Sequence, residues 1–91
     1  MPGDLARSRA LANRAIQADP DYPLNYYNLA RADAEEGNAA QARIHLQEAF
    51  DRRKNTLPGE SMPDPTQDDS IMKLKPDRAF WSFVENSRKN R

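Results

Sequence analysis

The chain has 91 residues, enough for one small domain with a modest core. Fourteen basic residues balance 14 acidic ones, so no net field draws in nucleic acid or an anionic membrane. Cysteine is absent, which excludes disulfides and thiolate metal sites. No apolar run reaches the length of a membrane span or a signal peptide. Apolar residues make up 37% and mean hydropathy is -1.01, so the core has to be thin and partly built from alanine.

The first predicted element is a helix over residues 4–18. A shift of 34 residues brings Ser8 onto Ala42, Arg9 onto Arg43, Ala12 onto Leu46, Ala15 onto Ala49 and Ile16 onto Phe50. Asp19-Pro20 closes this segment. A second helix follows, in which Tyr26, Leu29 and Ala30 recur at i, i+3 and i+4, the spacing of one helical stripe. Gly37-Asn38 ends it, because glycine accepts the left-handed backbone of a helix C-terminus. After a short turn, Ala42, Leu46, Ala49 and Phe50 form a third stripe. Two amphipathic helices joined so tightly run antiparallel. Ala30, Ala42 and Ala49 permit close approach, while Tyr26, Leu29 and Leu46 fill the space between.

Residues 56–69 change character. Pro58, Gly59, Pro63 and Pro65 oppose a regular helix, and Glu60, Asp64, Asp68 and Asp69 carry charge with no basic neighbour in the stretch. The simpler reading is a solvated linker; the functional one is an acidic loop that docks on a basic partner. In residues 70–91, Asp68 or Asp69 is placed to cap a short helix through Ile71, Met72 and Leu74. Pro76 stops that helix and opens another, with Asp77 in its first turn. Phe80, Phe83 and Val84 then make an apolar stripe with Trp81 on its flank, expected to cover the open end of the preceding hairpin. Ser87–Arg91 reads as a frayed basic tail.

The segment Tyr26–Gly37, Y-Y-N-L-A-R-A-D-A-E-E-G, followed by Ala42, Leu46 and Ala49, resembles one tetratricopeptide repeat (TPR), a helix–turn–helix unit of about 34 residues. The resemblance covers about residues 5–55 and makes residues 4–18 the second helix of an earlier repeat. It implies an all-α fold of antiparallel helix–turn–helix repeats, a TPR-like α-solenoid with a C-terminal capping helix. The organisation is then a repeat region over 1–55, a linker over 56–69, and a short helix, capping helix and tail over 70–91. Such arrays need about three units for independent stability, and this chain has roughly one and a half. The expectation is therefore a piece of a longer protein whose C-terminal segment serves as a cap. The pattern D-D-S-I-M-K-L-K-P-D-R-A-F-W looks like a segment that follows some bacterial repeat arrays. Two positions depart from the family: Asp33 stands where a large aromatic is usual, and Lys54 replaces the proline that ends the second helix.

In such repeats the first helix of each pair lines a concave groove. Carried over residue by residue, this implies a protein-binding face of Leu24, Tyr27, Asn28, Arg31 and Glu35. Arg31 is suited to a carboxylate and Asn28 to a peptide amide. An asparagine recurs at the site of Asn28 in members that grip chaperone C-termini, but the lysines of that clamp are missing here. The plainer reading of the face is a solvated helix surface with an Arg31/Glu35 i,i+4 pair.

Signals of chemistry are absent. His45 is the only histidine, and its i±4 neighbours, Gln41 and Ala49, are not metal ligands, so it reads as exposed or facing the cap. No serine has a His/Asp pairing nearby in sequence, and Gly3, Gly37 and Gly59 are isolated rather than gathered in a phosphate loop. The function expected is that of a non-catalytic scaffold or adaptor that binds another protein or peptide. It uses no cofactor, metal, nucleic acid or membrane, and acts as a cytoplasmic monomer. The alternative is a structural terminal cap of a longer array, with no ligand of its own.

Overall fold

The computed structural model describes the backbone of residues 2–89 and the side chains of residues 4–87. Among the described residues, five α-helices follow one another: α1 (Pro2–Ala18), α2 (Pro23–Glu35), α3 (Ala39–Asp51), α4 (Asp69–Met72) and α5 (Arg78–Lys89). Single 3-10 turns lie at Arg53–Asn55 and Pro65–Gln67. The described residues contain no strand, so the fold is all-α. The predicted basic tail lies mostly outside the described side chains.

α2 is the centre of the molecule, packed against α1, α3 and α4, while α5 packs on α3. Its start carries Pro23 in the first turn and no side-chain cap. The turn before it is held from outside instead. The Tyr26 hydroxyl donates to the Pro20 carbonyl at 2.7 Å, Arg52 Nε donates to the same oxygen at 2.9 Å, and Asn55 Nδ2 donates to the Asp21 carbonyl at 2.9 Å. The Arg52 guanidinium also lies 4.3 Å from the Tyr26 ring centre, so the end of α3 clamps the start of α2.

The α2–α3 turn forms as its sequence dictates. Gly37 takes φ +75°, and the Asn38 and Gly37 amides donate to the Asp33 and Ala34 carbonyls at 2.9 and 3.0 Å. These two bonds satisfy the last carbonyls of α2 in a Schellman closure. Asn38 then caps α3 by accepting from the Gln41 amide at 3.1 Å. Tyr26, Tyr27, Ala30 and Ala34 of α2 pack with Ala42, Leu46 and Ala49 of α3 in the main core. α3 stops at Asp51 and runs on as the 3-10 turn, in keeping with the missing proline at Lys54.

The C-terminal segment completes this core with Ile71, Leu74, Phe80 and Val84. Asp68 caps α4, accepting from the Ser70 and Ile71 amides at 2.9 and 3.2 Å. Asp77 precedes α5 and accepts from the Phe80 amide at 3.0 Å, so it acts as the cap rather than as a first-turn residue. The predicted aromatic stripe docks on α3: Phe83 lies 6.4 Å from Phe50, with the Arg43 guanidinium 4.9 Å from its ring. Ile44 of α3 stays 50% exposed.

The expectation of a solvated linker over 56–69 requires correction. Pro65 is buried and Met62 packs against the core. Glu60 accepts from the Tyr22 hydroxyl at 2.7 Å and from the Leu57 amide at 3.1 Å. Asp64 accepts from the Thr66 amide and hydroxyl at 2.9 and 2.7 Å. The acids lack basic neighbours in sequence, yet each of these two finds donors within the fold. The segment is a packed strap rather than a tether.

Candidate functional site

Asp33 fixes the mutual placement of three helices. It is 1% exposed, and its two carboxylate oxygens are shared between neighbours. Arg9 Nη1 of α1 donates to Oδ1 at 2.8 Å, and His45 Nδ1 of α3 lies 2.5 Å from Oδ2. Arg9 Nη2 also donates to Glu36 at 2.7 Å. The hydrogen bond to Glu36, then that to Asp33, raises the Arg9 pKa above its ordinary value. A lone buried carboxylate is costly unless it is paired and hydrogen-bonded. The buried carboxylate is thus accommodated by one arginine and one histidine. His45 is half-buried in that cluster rather than exposed or turned to the cap.

Beside this tie, α1 and α2 flank an open groove of about 490 Å³. Leu5, Ser8, Leu11, Ala12 and Ala15 form the α1 wall. Asn25, Asn28, Arg31, Ala32 and Glu35 form the α2 wall, and Ser70 stands at one end. Small residues at Ser8, Ala12, Ala15 and Ala32 open the space, and Leu11 projects beside it at 59% exposure.

The structure brings three of the five predicted residues, Asn28, Arg31 and Glu35, into this groove. Leu24 is half-buried and lies outside it. Tyr27 is not on an open face at all: it is 1% exposed, and its hydroxyl donates to Asp68 Oδ2 at 2.9 Å. One residue along a helix is a turn of about 100°, and that rotation carries Tyr27 away from the groove and under the strap. Burial, followed by the Asp68 charge and hydrogen bond, holds the Tyr27 phenol well above its ordinary range.

The anticipated Arg31/Glu35 pair is replaced by contacts to Asp68 of the strap and to Ser70 and Lys73 of α4 and its end. Arg31 Nε lies 3.4 Å from Asp68 Oδ2. Glu35 accepts from Lys73 Nζ at 2.5 Å and from the Ser70 hydroxyl at 2.7 Å. The Lys73 bond, then the Ser70 bond, lowers the Glu35 pKa. Arg31 keeps half of its side chain exposed toward the groove.

Sequence reasoning missed Leu5, Leu11 and Ala15 as groove residues. The signal was present in the 34-residue offset, which sets Ser8, Ala12 and Ala15 on the face that α3 uses to pack. A second cavity of about 320 Å³ lies among the end of α3, the strap and α5, lined by Phe50, Met62, Pro65 and Ser87 among others. Among the described residues, no group of three or more His, Asp or Glu side chains is placed to hold a metal, and no helix is long and apolar enough to cross a membrane. Comparison with protein-family models, with curated proteins and with solved structures yields no match to this chain.

Proposed function

We propose that this chain is a non-catalytic protein-interaction module of the TPR type, whose α1–α2 groove receives a segment of another protein. One observation carries the reading. Exposed Leu11 and half-exposed Arg31 stand on opposite sides of an open groove, with exposed Asn28 between turns of the same wall. Apolar area beside polar groups that stay accessible, Arg31 among them despite its contact to Asp68, is the composition of a surface that binds other proteins. A displayed peptide library panned on the intact protein tests it. Enriched peptides should lose binding when Asn28 and Arg31 are both replaced by alanine. No enrichment, or binding indifferent to both changes, overturns the reading.

A second reading rests on a different observation. α5 packs on α3 and buries Phe80 and Val84, at 2% and 0% exposure, in the core that α2 and α3 share, as a terminal cap of a longer array is expected to do. A chain that selects no peptide, yet stabilises further repeats fused to its N-terminus, would serve as such a cap.

A further inference from the structure

The α1 wall of the groove has a counterpart within the same chain. The 34-residue offset sets Leu5, Ser8, Leu11, Ala12 and Ala15 on Ala39, Ala42, His45, Leu46 and Ala49. Ala42, Leu46 and Ala49 are the residues α3 buries completely, in the core it shares with α2. On α1 the corresponding face is covered only in part. Ala12 is buried, Ala15 is half-buried, and Ser8 and Leu11 are exposed. The surface on which α3 carries a packed helix is open on α1.

We infer that the α1–α2 groove is the seat of one amphipathic α-helix from a partner protein, antiparallel to α1 and acidic on its flanks. This deepens the interaction reading and rests on it. Leu5, Leu11, Ala12 and Ala15 offer no side-chain hydrogen-bonding groups, so an extended strand laid along them would leave its amides unpaired on that side. A helix satisfies its own backbone. Small side chains at Ser8, Ala12 and Ala15 let the incoming helix approach closely, as Ala42 and Ala49 do for α2.

Charge decides the partner's flanks. Arg7 and Arg14 lie four residues before and three after Leu11, which sets both on its side of α1. Both are exposed, and neither forms an ion pair with a described residue. Asp4 is the only acid in α1. On the facing wall Glu35 is engaged by Lys73 and Ser70, and Arg31, 3.4 Å from Asp68, still keeps half its side chain exposed. The groove therefore has an apolar floor and a basic rim, and glutamates flanking an apolar stripe complement both.

The test uses the intact chain and a labelled helical peptide of about 15 residues, roughly four turns. It carries leucine and alanine at i, i+3, i+4 and i+7 and glutamate on both flanks. Fluorescence anisotropy should show it binding at least about tenfold tighter than the same peptide with a central proline, or with lysine for glutamate. Leu11→Glu and Arg14→Glu should each weaken binding by about tenfold with the helical circular-dichroism melt unchanged. Equal binding of the proline peptide overturns the helical occupant and leaves the broader interaction reading standing. Equal binding of the lysine peptide overturns the acidic partner. A concentration-dependent dimer abolished by Leu11→Glu assigns the seat to a second copy and overturns the inference. So does the failure of all three peptides, whereas the library screen judges the broader reading separately.

Discussion

Tyr27 and Asp68 are 41 residues apart in sequence, and the hydroxyl of one donates to the carboxylate of the other at 2.9 Å. The same carboxylate caps α4 and lies beside Arg31. One acid therefore serves a buried phenol, a helix N-terminus and a groove-wall arginine together. The strap is joined to α2 by this residue, which reaches buried Tyr27 on one side and the groove wall at Arg31 on the other.

Replacement of Tyr27 by phenylalanine should cost about 1 kcal/mol near neutral pH, the ordinary worth of one intramolecular hydrogen bond. The alkaline limb is more diagnostic. Burial and Asp68 raise the folded pKa of Tyr27 above its ordinary value of 10.0. Its contribution is thus complete below about pH 10 and is lost as pH rises from there toward the folded value. Urea melts across this range should show a shallower fall in stability for Tyr27→Phe than for the parent. Some slope will remain, because the Tyr22 phenol is also raised by its bond to Glu60. Identical slopes would contradict the assignment.

Asp33→Ala should destabilise the protein by about 2–4 kcal/mol, the loss of a buried partner discounted for the exposure of Arg9. Arg9 is 30% exposed and His45 18%, so water relieves part of the stranded charge. Replacing Arg9, Asp33 and His45 together by leucine should recover much of that loss, since an apolar trio needs no pairing. Chemical denaturation of the single and triple variants checks this, and a triple variant less stable than Asp33→Ala would refute it.

Ala49 is fully buried where α3 meets α2. Ala49→Leu should overpack that contact and cost about 1–3 kcal/mol. Thermal melts of variant and parent decide the point, and an unchanged midpoint would show that the helices have room to spare.

Phe80→Ala should cost about 3–5 kcal/mol, through lost burial and the cavity left behind. Deletion of residues 70–91 removes Ile71, Leu74, Phe80 and Val84 from the core together. The shortened chain should unfold or associate, as sedimentation and circular dichroism would report. A monomer of parental stability would mean that the helical hairpin stands alone.

The helices were legible because their signals are local. Gly37 announces the end of α2, Asn38 caps the next helix, and the stripe Phe80/Phe83/Val84 has a single apolar face to bury. The packing of the strap was not legible, since the donors that tie its acids to the rest of the fold come from distant chain: Tyr22 for Glu60, and Tyr27 and Arg31 for Asp68. Local composition recorded proline and negative charge and nothing of those partners. Within the site, Asn28, Arg31 and Glu35 were implied by the repeat resemblance, and the structure sets them on the groove wall. The burial of Tyr27 was not legible, because the chain that covers it lies 41 positions away. Asp33 was visible as a departure, but its pairing with Arg9 and His45 depends on the packing of three helices.

The strap also sets an order of events in folding. The ties of the strap and of Lys73 after α4 to α2 and the turn before it span long stretches of chain, 38 residues for Tyr22–Glu60 and for Glu35–Lys73, whereas the α2–α3 turn closes over a few residues. Closing a longer loop costs more chain entropy, so the hairpin should assemble first and the strap should lock down after the main barrier. Weakening the strap then accelerates unfolding and leaves the folding rate nearly unchanged, while weakening the Gly37 turn does the reverse. Stopped-flow chevrons of Asp68→Ala and Gly37→Ala would separate the two. In this small chain the residues around Asp68 would act as a latch that governs how long the native state lasts.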